Sequence, residues 1–195
     1  IVNCGAYTNV DKAETQTDLA MRINADAVRV LAVYSAKHSI PLVHVSTDFV
    51  FDGRKRTPYA PSDETNPLNA YGTTKLAGEL AAIEANPKTW VVRASGIYSD
   101  HGNNFALKII ELAQQRESLS VVTDQVGSPC YAPNLAKALW KILAVQPPIG
   151  IYHFSDFGEV SRFEFAQAIV DEAAAAGVIK KTVPIKGVLS SHFPS

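Results

Sequence analysis

The chain has 195 residues, 47% hydrophobic and 19% charged, enough to bury the core of one sizeable globular domain. Its 18 basic and 19 acidic residues nearly cancel, which argues against a nucleic-acid or anionic-membrane partner. No apolar run approaches the ~20 residues that span a bilayer, and Cys4 and Cys130 make neither a disulfide framework nor a metal-ligand spacing, so a reducing, cytoplasmic setting is expected.

Ile1 to Gly5 starts without a methionine and reads as a buried strand already under way, not as a signal peptide. A long helical pattern follows, with Leu19, Ile23, Ala27, Val30, Leu31 and Tyr34 at core-face spacing, until Ile40-Pro41 breaks it. Leu42 to Ser46 is a second strand, rich in β-branched residues. Thr47 to Gly53 turns away from it into a loop carrying Pro58, Pro61 and Pro67. Ala70 to about Glu84 reads as a helix with Leu76, Leu80 and Ile83 as its buried stripe, and Thr89 to Ser95 as a third strand. Asn103 is placed to cap a helix running to about Arg116, with Phe105, Ile109, Ile110 and Leu112 apolar. A strand from Leu119 to Val122, a loop from Asp124 to Pro129, a helix from Leu135 to Val145, a strand from Ile149 to Phe154 and a helix from about Ser161 to Ala176 complete the pattern. The tail from Val183 to Ser195 carries two prolines.

Strands alternating with long helices predict an α/β fold with a parallel, Rossmann-like sheet and helices on both faces. The shift to shorter strands and more loop after about Asp100 predicts a small C-terminal substrate lobe. The division expected is residues 1–100 as part of a nucleotide-binding domain and 101–195 as mainly substrate lobe with interleaved sheet elements.

Tyr71 and Lys75 supply the chemistry. Four residues apart on a helix, they share one face a turn apart. A phenol with a pKa near ~10 is a poor proton carrier at neutral pH, and a fixed ammonium beside it is expected to pull that value down. Ligands of an open parallel sheet gather at the carboxyl ends of its strands. Three such ends occur here: Cys4-Gly5-Ala6-Tyr7, Ser46-Thr47-Asp48 and Ala94-Ser95-Gly96. A hydroxyl (Thr47), a phenol and a lysine around one crevice suit a carbonyl that receives hydride. The bland alternatives are an ordinary helix face for Tyr71 and Lys75, a turn cap for Ser46 and Thr47, and an Asx turn for Asp48. Asp11, Lys12 and Glu14 read as surface charges at a helix start. Asn103 and Asn104 read first as caps, Cys130 as a small buried residue, and His44 as a core histidine.

Six stretches extend this reading: Asn3 to Thr8, Val10 to Glu14, Ser46 to Phe51, Pro67 to Lys75, Gly102 to Phe105 and Asp124 to Pro129. Through them the chain resembles the extended short-chain dehydrogenases/reductases, and within these the dTDP-4-dehydrorhamnose reductases. The resemblance implies that Tyr71 is the acid/base, Lys75 its electrostatic partner and ribose ligand, and Thr47 the hydroxyl at the reacting carbon. It implies cofactor contacts from Ala6, Tyr7 and Thr8, and puts Asp48, Gly96, Asn103 and Asn104 on the substrate side. The reaction implied is NADPH- or NADH-dependent reduction of the 4-keto group of a dTDP-6-deoxy-hexulose to dTDP-L-rhamnose. It leaves room for a homodimer. A different NAD-dependent epimerase or dehydratase, or a non-catalytic regulatory relative, are the alternatives.

Three departures qualify the resemblance. None of the 11 glycines forms a G-x-G-x-x-G or G-x-x-G-x-x-G turn. A βαβ unit takes about 30 residues or more, which implies roughly 60 residues of sheet ahead of Ile1, and the 195 residues alone are expected to bind NAD(P)H poorly and to lack turnover. Gly96 stands where the family has a tryptophan, and Phe49 where a tyrosine usually follows S-T-D.

Overall fold

The structure is a computed structural model that describes residues 1–192; Pro194 and Ser195, at the end of the expected tail, lie outside the described residues. In chain order it comprises β1 (Val2–Asn3), α1 (Val10–Thr15), α2 (Thr17–Met21), a π-helical turn (Arg22–Asp26), α3 (Ala27–Lys37), β2 (Leu42–Thr47), α4 (Ala70–Ala85), β3 (Thr89–Ala94), β4 (Ile97–Tyr98), α5 (Phe105–Gln115), β5 (Leu119–Val122), β6 (Val126–Gly127), β7 (Cys130–Tyr131), α6 (Ala132–Val145), β8 (Gly150–Phe154), β9 (Val160–Ser161), α7 (Arg162–Ala175) and β10 (Ile185–Val188). The chain divides into two units, residues 1–95 with 135–154, and 96–134 with 155–195. No helix among the described residues is long and apolar enough to cross a membrane.

The first unit is the parallel α/β sheet that the alternation predicts, with strand order β1-β2-β3-β8. Its central strands, Leu42–Thr47 and Thr89–Ala94, are almost wholly buried. That is why they read as continuous apolar runs instead of alternating ones. Asn side chains start the helices: Asn9 caps α1, and Asn69 caps α4 by accepting from the Gly72 amide at 2.7 Å.

The predicted helix stripes are the main correction. Leu19, Ile23, Val30, Tyr34, Leu80 and Ile83 are exposed, and the buried positions are Ala20, Ala25, Val28, Ala32 and Ser35 on one side and Gly72, Thr74, Lys75, Gly78, Glu79, Ala81 and Ala82 on the other. The two helical segments bury small and polar residues because they lie very close together. A Cβ on Gly78 would collide with the backbone carbonyl of Asn24, leaving no room for large side chains at the seam. The single long helix expected before Pro41 is also broken into α1, α2, the π-helical turn and α3.

The second unit packs α5 and α7 against β5 around Ile109, Leu119, Val121, Ala166 and Val170. A capping box starts α7, with Ser161 and Glu164 satisfying each other's backbone amides. The tail contains β10, for which no strand was expected, pairing in parallel with β5. Four residues after Pro184, hydrogen-bonded only on one side, leave little local pattern in the sequence.

Candidate active site

The first unit brings Thr47, Asp48, Tyr71 and Lys75 together where β2 ends and α4 begins. Thr47 is the last residue of β2 and is buried. Its Oγ1 accepts from the Phe49 amide at 3.2 Å and donates to Asp48 Oδ1 at 3.2 Å. In this turn Thr47 is the capping side chain, the turn-cap alternative read for it. The phenol of Tyr71 also hydrogen-bonds Thr47, and its ring meets Phe49 edge-on at 5.5 Å between centroids. Phe49, lacking the usual tyrosine hydroxyl, still supplies the wall against which the Tyr71 ring is held.

One turn further along α4, Lys75 donates from Nζ to the Val45 carbonyl at 2.8 Å. Burial pulls its pKa down to about 8, partly offset first by the charge of Glu79 and then by Cys4 to the extent that the thiol ionises. The expected lowering of the phenol pKa by this ammonium is not found. Burial raises the pKa of Tyr71, the Thr47 hydrogen bond opposes the rise, and the Asp48 carboxylate adds to it. Desolvation of the phenolate dominates, while the hydrogen bond of Lys75 Nζ goes to the Val45 carbonyl. At neutral pH Tyr71 is thus held as the acid.

Two residues outside the sequence-predicted set organise the site. Asn24, in the π-helical turn, is fully buried. It accepts from the Tyr7 amide at 2.7 Å, and its Nδ2 reaches the Tyr7 carbonyl at 3.2 Å and Thr74 Oγ1 at 3.0 Å. Thr74 in turn donates to the Tyr71 carbonyl at 2.9 Å. One amide therefore ties the segment after β1 to the helix that carries Tyr71. Its only sequence signal is a polar residue inside an apolar helical pattern; π-turns frequently mark functional sites. Glu14, read as a surface charge, accepts from the Ala70 amide at 2.7 Å and so closes the N-terminus of α4.

Ala6 and Tyr7 are half-buried and Thr8 exposed on that segment, and Tyr7 Oη donates to Gln16 at 2.8 Å. His44 lies in the core, as read, but it is not the satisfied histidine expected there: its Nε2 is buried without a hydrogen-bond partner among the described residues. Asn3 Oδ1 takes the Gly5 amide, so its Nδ2 faces His44 Nδ1 at 3.1 Å, and burial depresses the imidazole pKa to about 3.

The remaining candidates lie in the second unit. Gly96 sits at φ +51°, a left-handed conformation costly for any residue with a Cβ. Its carbonyl accepts from the Cys130 amide at 3.2 Å. The missing tryptophan therefore coincides with a backbone that favours glycine. Asn104, and not Asn103, caps α5: its Oδ1 accepts from Leu107 at 3.1 Å, while its Nδ2 donates to Ser99 and His101 carbonyls. Asn103 is exposed on the preceding loop. Cys130 is buried, and its thiol is pushed up to about 11 by burial and the Asp156 charge.

The family model described as "RmlD substrate binding domain" matches residues 1–195. The chain belongs to the RmlD substrate binding domain family. It is 36% identical to the dTDP-4-dehydrorhamnose reductase of Aggregatibacter actinomycetemcomitans, over all of this chain and 68% of that protein. It is 39% identical to the dTDP-4-dehydrorhamnose reductase of Salmonella typhimurium, over all of this chain and 67% of that protein. Among solved structures it superposes on the dTDP-4-dehydrorhamnose reductase of Bacillus anthracis in complex with NADP, with TM-score 0.93 and 39% identity over all of this chain and 67% of that one. The resemblance read from the motifs and the predicted parallel α/β architecture both hold for this RmlD-family chain.

Proposed function

We propose that the protein reduces the 4-keto group of a dTDP-6-deoxy-hexulose, the dTDP-4-dehydrorhamnose reductase reaction, using NADPH or NADH. The observation that carries this reading is the Thr47–Tyr71–Lys75 arrangement, in a chain that matches reductases of this name along its whole length. The donor chemistry fits the nicotinamide-ribose half of the cofactor. An ammonium has three N–H donors and Val45 takes one, which suits the others to ribose hydroxyls. Ala6, Tyr7, Thr8 and Lys75 would hold that half of the cofactor. When bound, the reduced nicotinamide supplies the hydride.

The chain's own residues manage the proton. Tyr71 delivers its phenolic proton to the oxygen of the reduced carbonyl; an alkoxide is far more basic than a phenolate, so a raised phenol pKa does not block the transfer. Thr47, already bonded to the phenol, then donates to the phenolate left behind. Lys75 provides a fixed positive charge one turn away on the same helix face. Residues 1–100 act as the cofactor side and 101–195 mainly as the substrate lobe with interleaved sheet elements, β8 among them, and Gly96, Asn103 and Asn104 are the proposed substrate contacts. Consumption of NADPH or NADH by the full-length protein with dTDP-4-dehydrorhamnose is the expected result. Tightly retained NAD without net consumption would replace this reading with an epimerase or dehydratase.

The exposed apolar face of α3 and α4 supports a homodimer. Val30 is 69% and Leu80 61% exposed, beside Tyr34 and Ile83, on two helices packed against each other. A second copy presenting the same two helices would bury this face symmetrically. Sedimentation of the wild type as a dimer and of Leu80→Glu as a monomer is expected; a monomeric wild type would exclude the interface.

A further inference from the structure

The Tyr71/Lys75 face of α4 continues one turn beyond the lysine, to Glu79. Glu79 is fully buried, and Arg93 on β3 grips its carboxylate in a fork: Nε to Oε1 at 3.0 Å, Nε to Oε2 at 3.2 Å and Nη2 to Oε2 at 2.7 Å. The guanidinium is itself held, lying over the Phe51 ring at 5.0 Å with Nη1 directed at the Pro61 carbonyl at 3.4 Å. The contacts between Arg93 and Glu79 are charge-assisted hydrogen bonds in the two-pronged geometry that suits a guanidinium to a carboxylate. The place of Glu79 beside Lys75 is not explained by packing, because a buried ion pair contributes little more to stability than a well-packed apolar pair.

The groups around Lys75 show what the carboxylate does there. From β2 come the Val45 carbonyl, which accepts its hydrogen bond, and the imidazole of His44, neutral near pH 7. From the end of β1 comes the Cys4 thiol, whose pKa is raised by burial and therefore carries little charge at neutral pH. On α4 itself stand Tyr71, held as the neutral phenol, and Glu79. Glu79, one turn from Lys75 on the same helix, is the carboxylate whose charge favours the ammonium.

We propose that Glu79, locked by Arg93, is a positioning residue that keeps the buried Lys75 side chain charged and aligned along the Tyr71 face of α4. For its catalytic consequence this rests on the reductase reading; for its electrostatics it does not. Burial works against the ammonium, bringing its pKa to about 8, and the Glu79 charge works for it. The sign is therefore fixed: removing the carboxylate must lower the lysine pKa further, so that the charge is lost at lower pH.

The test is an NMR titration of the full-length protein carrying lysine labelled at Cε, with the Lys75 signal assigned by its loss in Lys75→Arg. In Glu79→Gln the titration midpoint is expected to fall by about one pH unit, the low end of the effect of a close opposite charge. That variant leaves Arg93 buried without its partner, so the double variant Glu79→Gln/Arg93→Gln, which removes both charges together, is measured beside it. The double variant also removes the Arg93 charge, which by its sign works against the ammonium, so a fall that survives there supports the proposal. An unchanged midpoint in the folded double variant overturns it and leaves the pair a purely structural tie. The readout needs no cofactor or sugar, so failure of the reductase reading would appear separately, as a correctly shifted Lys75 in an enzyme that reduces no dTDP-hexulose. If both hold, the alkaline limb of kcat moves down with the Lys75 midpoint.

Discussion

Turnover of dTDP-4-dehydrorhamnose by Tyr71→Phe is expected to fall at least ~10²-fold, the usual scale for loss of a positioned general acid. The substitution removes one oxygen and little else. The ring remains to pack edge-on against Phe49 at 5.5 Å, and α4 keeps its caps from Asn69 and Glu14. Thr47 loses the phenol but retains the Phe49 amide and the Asp48 carboxylate, so no buried hydroxyl is stranded. Stability should therefore change little, while kcat drops and the affinity for the cofactor, for which Lys75 and the Tyr7 segment are the proposed contacts, stays near that of the wild type. Steady-state kinetics beside a denaturation curve separate these quantities. Near-wild-type kcat in the folded variant would take Tyr71 out of the proton transfer.

Gly78→Ala should destabilise the protein by about 3 kcal/mol or more, at the upper end of overpacking effects. Helix propensity alone points the other way, since alanine is favoured over glycine inside a helix by ~1 kcal/mol. Tertiary contact decides between them. A Cβ at this position would drive into the Asn24 carbonyl, which is backbone and cannot rotate aside, with the Asn24 carbonyl carbon at 3.2 Å and His44 Nε2 at 3.6 Å behind it. For a chain of this size that corresponds to a fall in Tm of roughly 10 °C. The displaced π-turn would carry Asn24 with it, and through Asn24 the Tyr7 segment, so affinity for NADPH should fall as well. A variant as stable as the wild type would mean that α4 and the π-turn can separate at no cost, against the close approach described above.

The strands and the candidate site residues stood out in the sequence for a common reason. Strands buried on both faces need unbroken apolar, β-branched runs, and Leu42–Thr47 and Thr89–Ala94 show them within a residue of their observed ends. Tyr71 and Lys75 need only helical spacing to share a face, and Thr47 only a place at the end of a strand. These are local periodicities, and local sequence specifies them.

What the sequence determined by itself is therefore the alternation of strand and helix, the residue types at the strand ends, and membership of a reductase family through motifs spread along the chain. The tertiary structure alone decided which helix faces are buried. Hydrophobicity places Leu80 and Val30 inside, but the close backbone contact at Gly78 leaves the seam to small and polar side chains and turns the large ones outward. It also decided the proton chemistry. Spacing brings a lysine near a phenol, but whether the ammonium lowers the phenol pKa depends on where Nζ points and how dry the site is. Here Nζ points to the Val45 carbonyl, burial dominates, and the charge that acts on Lys75 comes from Glu79, fixed by an arginine 14 residues further along the chain. Such pairings join residues distant in sequence, and only the folded chain brings them within range.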